Sequence, residues 1–184
     1  MRTLSDAEKR FDDLYRSTRR DVLAFLVRRV GRPADAADLL GDVYLVAWRR
    51  LDAVPGGSEA RLWLFGVARR VLANHHRDAR RRQSFTDGLA AALLHAGSAS
   101  APADASVLHK DRLQEVRRAI EALNPADREV LTLAAWDHLT AAEISTVTGA
   151  TPGAVRVRLH RARERVRAAI AEGDSPEPEL STTS

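Results

Sequence analysis

A chain of 184 residues suits one ordinary domain or two small ones, and its 45% hydrophobic content can build cores of modest size. With no Cys it cannot hold a disulfide scaffold, a thiolate-bound metal or a thiol nucleophile, and no apolar run approaches the roughly 20 residues that span a bilayer. The net charge of +4 conceals a sharp division: residues 61–82 carry +6 and 154–170 carry +5, whereas 83–153 and the tail from 171 each carry −4. Met1 to Lys9 is charged and lacks an apolar core, so no secretory signal is expected and a soluble cytoplasmic protein without membrane insertion is the simplest expectation.

Helical periodicity runs through most of the chain, with Pro and Gly between the periodic segments, and no strand-like alternation of useful length appears. Phe11, Leu14, Val22, Phe25, Leu26 and Val30 recur at helical spacing until Gly31-Arg32-Pro33 ends the run. A second helix is predicted from Ala34 to about Leu51, with Leu39, Val43, Val46 and Ala47 on one face and Asp35, Asp38 and Asp42 making its start acidic. Asp38 and Asp42 are four residues apart and share a face, which repels DNA and is either solvated or docked on a basic protein. After the break at Pro55-Gly56-Gly57-Ser58, a third helix runs from about Glu59 to Arg82, apolar early and rich in Arg late. Its Trp63 and Phe65 beside Arg69, Arg70, His75, His76, Arg77 and Arg80 to Arg82 supply the stacking groups and cations that partly opened DNA requires, although each aromatic also suits a core position.

Residues 84–106, rich in Ala, Gly, Ser and Pro, read as a flexible linker between a domain at 1–83 and one at 107–172. The expected fold class is therefore all-α, two small helical domains joined by a tether, followed by a disordered acidic tail at 173–184. The second domain opens with a helix from Val107 to Leu123, and Asn124-Pro125 caps and starts another that runs to about Trp136.

Residues 140–170 hold the sharpest pattern. Thr140-Ala-Ala-Glu143 fits a capping box, Ile144 and Val147 give a short helix its apolar side, and Gly149 supplies a left-handed residue to end it. Thr151-Pro152 then starts a longer basic helix, which completes a helix-turn-helix. At about 100° per residue, Val155, Leu159, Ala162, Val166 and Ile170 form an apolar stripe, and Gly153, Val157 and His160 point the opposite way between Arg156 and Arg161. Arg156 and Arg161 can reach guanine or phosphate and Val157 a thymine methyl. Arg158, Arg163, Arg165 and Arg167 lie elsewhere on the helix and read as phosphate contacts or surface charge.

The segments Asp35-Ala-Ala-Asp38-Leu-Leu-Gly-Asp42-Val-Tyr-Leu-Val-Ala-Trp48 and Arg61-Leu-Trp-Leu-Phe-Gly-Val-Ala-Arg-Arg70 resemble region 2 of bacterial RNA polymerase sigma factors. Ala122-Leu-Asn-Pro-Ala-Asp-Arg-Glu-Val-Leu131 and Val155-Arg-Val-Arg-Leu-His-Arg-Ala-Arg163 resemble region 4, and the order resembles the small extracytoplasmic-function type. The resemblance implies that Asp38, Leu39, Leu40, Asp42 and Trp48 bind core RNA polymerase, on the clamp coiled coil of its largest subunit. It implies that Asp52, Ser58, Arg61, Trp63, Arg69, Arg70, Asn74 and Arg77 open and read the minus-ten element. Thr151, Arg156, Val157, Arg158, His160 and Arg161 would read the minus-thirty-five element, with the rest of that domain on the flap of the second-largest subunit. An anti-sigma factor is a further partner the family implies. Gly41 stands where the family usually has Gln, Arg70 where Asn is common and Asn74 where Asp is common.

An enzyme is not expected, nor any cofactor or metal. His75-His76-Arg77-Asp78 with Asp38 or Asp42 is the nearest approach to a metal site, but adjacent helical histidines diverge by about 100° and cannot both face one ion. The main alternative is a stand-alone helix-turn-helix regulator whose N-terminal half is a sensing or dimerisation bundle.

Overall fold

The computed structural model describes the backbone of residues 5–93 and 107–173 and the side chains of residues 5–82 and 114–171. Among the described residues the secondary structure is helical throughout, with no strand. The chain divides into two compact units, one built on α1 (Asp6–Val27), α2 (Pro33–Arg49) and α3 (Glu59–Leu93). The other is built on α4 (Val107–Glu121), α5 (Pro125–Trp136), the start of α6 (Ala141–Thr148) and α7 (Pro152–Gly173).

In the first unit each pair of helices packs together. Ser5 and Glu8 form a capping box that starts α1: Ser5 Oγ accepts from the Glu8 amide at 3.3 Å, and the Ser5 amide donates to Glu8 Oε2 at 2.6 Å. Helix α1 stops at Val27, three residues short of the apolar run read from the sequence, and Val30 lies in the turn before Pro33. Proline at the first position of α2 costs no hydrogen bond, because that amide has no partner within the helix. Ala36, Leu39, Val43, Tyr44 and Ala47 are the buried side of α2, and the chain then tightens into a 3-10 turn at Leu51–Ala53.

Val22, Phe25, Leu26, Val43, Leu64, Phe65 and Val67 are fully enclosed. At about 1.5–3 kcal/mol for each large side chain removed from water, this cluster is the main stabilising term of the unit. One polar pair lies within it. Thr18 Oγ1 donates to the Leu14 carbonyl at 2.5 Å, so the Tyr44 hydroxyl, 2.7 Å away, must be the donor to Thr18. Burial pushes the Tyr44 pKa up, which keeps that proton in place.

Helix α3 continues to Leu93, beyond the end expected at Arg82, so the first ten residues assigned to the linker are helical. Residues 83–93 contain no Pro, and the run Leu89-Ala-Ala-Ala-Leu93 has enough helix propensity to carry the helix past Gly88. The remainder of the expected linker, 94–106, and the expected disordered tail from 174 lie outside the described residues.

In the second unit α7 packs on α4 and α5 around Val130, Leu133 and Val155. Asn124 caps α5 by accepting from the Asp127 amide at 2.9 Å. Arg128 of the same helix donates to the Ile120 and Leu123 carbonyls at 3.0 and 3.1 Å, and also to the Glu121 carbonyl, closing the otherwise unpaired end of α4. The capping box predicted at Thr140 and Glu143 is present, and Gly149 adopts φ +75°, the left-handed conformation expected of it. The Gly149 amide donates to the Ser145 carbonyl at 2.8 Å and Ser145 Oγ to the Ala150 carbonyl at 2.6 Å, which fixes the tight turn. Thr151 Oγ1 then accepts from the Ala154 amide at 3.3 Å and starts α7.

Candidate nucleic-acid interface

Helix α7 presents two faces. Val155 and Ala162 are fully buried and Leu159, Val166 and Ile170 half-buried, so the predicted stripe does face inward. Gly153, Arg156, Val157, His160 and Arg161 are exposed on the far side, with Val157 at 54% a large apolar side chain left in solvent. Arg158 departs from this group: it is half-buried and projects about 60° from the Val155 line, on the flank of the packed face. Thr151 is exposed and its hydroxyl is committed to the helix cap.

Helix α3 brings four predicted residues onto one side. At about 100° per residue, Trp63, Arg70, Asn74 and Arg77 fall within roughly 60° of one another over a length of about 21 Å. Trp63 is half-buried and the other three are exposed. Arg77 donates to the Asn74 side-chain oxygen and to the Ala73 carbonyl, the latter at 3.3 Å, which holds the two side chains together on this face. Arg61 and Arg69 lie off this line. Arg61 projects to the opposite side, where its Nη1 is 3.4 Å from Asp21 Oδ2 of α1 and its guanidinium carbon lies 5.5 Å from the Phe65 ring centre. Arg69 is half-buried.

Asp52 and Ser58 are both exposed in the connection between α2 and α3. A residue that local sequence patterns do not single out anchors this connection: Arg10 of α1 donates to the Val54 carbonyl at 2.9 Å and sits 3.9 Å from Asp52 Oδ1. An open cleft of about 750 Å³ runs beside it, with Arg10 and Arg16 at its edge and Leu14, Val54 and Gly57 among its walls. Gly57 adopts φ +61°, which few side chains tolerate.

The outward face of α2 carries no cation until its last turn. Asp38 and Asp42 are exposed there, followed by Leu45 at 45% and Trp48 at 44% exposure, with the Trp48 ring edge-on to Phe11 at 5.1 Å. Leu39 is buried among the core residues, and half-buried Leu40 projects about 200° from Asp38, so neither shares the exposed stripe. Leu45 takes their place on it. The acidic and apolar character of this surface contrasts with the basic faces of α3 and α7.

Residues 14–82 match the Sigma-70 region 2 family and residues 113–166 match the Sigma-70 region 4 family. The chain is 32% identical to the RNA polymerase sigma factor CarQ of Myxococcus xanthus over 90% of its own length and 92% of the relative's. It belongs to the sigma factors of bacterial RNA polymerase, in the extracytoplasmic-function group. The extracytoplasmic-function sigma factor BldN of Streptomyces coelicolor is 31% identical over 86% of this chain, which spans only 58% of that longer relative. The fold is also that of the sigma factor RpoE of Bartonella quintana, solved with the anti-sigma factor NepR, at a TM-score of 0.62 and 24% identity over 90% of this chain and 98% of that one.

In this sigma factor the region 2 match covers most of α1, all of α2 and the basic stripe of α3, and the region 4 match covers the helix-turn-helix. Among the described residues no helix is long and apolar enough to cross a membrane.

Proposed function

We propose that the chain directs core RNA polymerase to particular promoters and starts transcription there, with a separate surface for each task. The exposed stripe Asp38, Asp42, Leu45 and Trp48 docks on the largest polymerase subunit, its carboxylates meeting basic side chains and its apolar groups supplying buried area. Trp63, Arg70, Asn74 and Arg77 engage the minus-ten element, with Asp52 and Ser58 in the neighbouring loop. Arg156, Val157, His160 and Arg161 enter the major groove at the minus-thirty-five element. The remainder of the second unit rests on the second-largest subunit. The division into 1–83, 84–106 and 107–172 is the functional one, even though α3 extends past its first boundary.

The observation that carries this reading is the presence, in a chain matched by both sigma regions, of two exposed basic helix faces and one acidic, apolar face. A stand-alone regulator would need the helix-turn-helix but not region 2. The reading requires no catalytic group and no cofactor, since the polymerase performs the chemistry, and it places the protein in the cytoplasm with its promoter DNA. An anti-sigma factor is a further partner class, because the Bartonella relative was solved with one. Mixing the full chain with purified core polymerase tests the reading: a stoichiometric complex should survive gel filtration, and its absence would contradict the assignment.

A further inference from the structure

Asp127 is a charged side chain that the proposed function leaves unused, and it is 2% exposed. It occupies the third position of α5, where the helix dipole favours a carboxylate. Its Oδ2 accepts from the Asn124 amide nitrogen Nδ2 at 2.7 Å and lies 3.5 Å from Nη1 of Arg165 on α7. A carboxylate removed from water persists only when cations and donors replace its hydration. Arg165 supplies that cation, although its own side chain is 55% exposed.

The position of Arg165 on α7 gives the contact its meaning. Val155 and Ala162, the two fully buried residues among the described side chains of α7, are seven apart and lie almost on one line along the helix. The apolar residues beside this line, Leu159, Val166 and Ile170, lie about 20–60° to one side of it and are only half-buried, so they restrain roll about it incompletely. Arg165 projects about 80° to the other side of that line, and exposed Arg161 lies one turn before it. A side chain roughly 6 Å from the axis moves by roughly 1 Å when the helix rolls by about 10°. Base-edge contacts need placement within about 0.5 Å. From this geometry we infer that Arg165 does not serve chiefly as a phosphate contact: with buried Asp127 it forms a latch that sets the roll of α7 and so aims Arg156, Val157, His160 and Arg161 at the bases. Both members are positioning residues for minus-thirty-five specificity, and the inference rests on the DNA-reading role proposed for α7.

The test uses the full chain bound to core polymerase. Its probe is a promoter drawn by the wild-type holoenzyme from duplexes randomised in the upstream element, together with that promoter's single-base variants. Arg165→Gln and Asp127→Asn should each reduce discrimination between the drawn element and its variants by about five- to tenfold, the size of one mismatch. The salt dependence of binding should stay unchanged, the double variant should be no worse than either single one, and Asp127→Glu should recover most of the discrimination. A loss of folded protein alone would lower the active fraction equally for all duplexes and leave their ratio intact. The latch is overturned if Arg165→Gln weakens every duplex equally and lowers the salt slope by about one, the mark of a phosphate contact. Because Arg165 is half-exposed, that variant decides the matter even if Asp127→Asn fails to fold. If the wild-type holoenzyme transcribes but draws no upstream preference, α7 does not read DNA and the specificity role falls with it. In that event, faster amide exchange along α7 in Arg165→Gln would still separate a real latch from an absent one.

Discussion

Phe25 of α1 and Phe65 of α3 stack with ring centres 4.7 Å apart and planes inclined by 19°. Arg29 lies over Phe25 at 3.7 Å and Arg61 over Phe65 at 5.5 Å, so guanidinium groups attend both rings. Because α3 also carries the basic stripe, this stack fixes that basic helix to the rest of the first unit.

Phe65→Ala should lower the unfolding free energy of that unit by about 3–5 kcal/mol, through lost burial and a cavity that the rigid neighbours cannot fill. Arg61→Ala should cost only about 1 kcal/mol, since it removes a partly exposed ion pair and one cation–π contact. Thermal or urea unfolding followed by circular dichroism reads both. A Phe65→Ala loss below about 1 kcal/mol would contradict the role given to the stack.

Gly41 on the exposed side of α2 has nothing within 4 Å of a would-be Cβ. Gly41→Gln should therefore stabilise the helix by about 0.5–1 kcal/mol and tighten core-polymerase binding by restoring the polar group usual in the family. Asp38→Ala with Asp42→Ala should weaken core binding at least tenfold and leave unfolding within about 0.5 kcal/mol of wild type, because both groups are exposed. Fluorescence titration of labelled protein with core measures the first effect, and unchanged affinity in the double variant would refute the docking surface.

Arg156→Ala and Arg161→Ala should each cost about 1–3 kcal/mol of promoter binding at the upstream element while core binding is retained. Footprinting of the holoenzyme should show protection lost upstream and kept around the minus-ten element. Simultaneous loss of core binding would refute the assignment.

The His76 pKa is held below the ordinary imidazole value of about 6.5 by partial burial, then by neighbouring His75 and Arg80. A depressed folded pKa means that the unfolded chain takes up the proton first as pH falls. The contribution of His76 to stability is therefore present above about pH 6.5 and is lost as the pH drops through the lower folded value. The melting temperature of wild type should fall more steeply than that of His76→Gln between about pH 7.5 and pH 5.5. Parallel curves for the two proteins would contradict this effect.

The helix-turn-helix is legible in the sequence because its determinants are local: Thr140, Glu143, Gly149 and Thr151 each act on a backbone group three or four residues away. The start of α1 carries the same local signature in Ser5 and Glu8, a capping box that the apolar periodicity beginning at Phe11 does not reveal. The inward stripe of α7 is also readable, since its outer face is basic and the period is unambiguous. Helix α2 is harder, because Leu39, Leu40 and Leu45 are alike in sequence, and only packing distinguishes the buried, half-buried and exposed ones. The end of α3 is not legible without a breaker such as Pro to stop it. Contacts such as Arg10 with Val54, 44 residues apart, and Arg165 with Asp127, 38 apart, arise only once helices have packed. The Arg61 contact with Asp21 of α1, 40 residues away, is likewise invisible to local sequence patterns.

Run-off transcription with purified core polymerase on a library of randomised promoters shows whether this chain directs promoter choice. Transcripts should depend on the added protein and start downstream of one recurrent pair of upstream and minus-ten sequences, with Arg156→Ala and Arg161→Ala relaxing the upstream member alone. Core polymerase that yields the same transcripts with and without the protein would contradict that role.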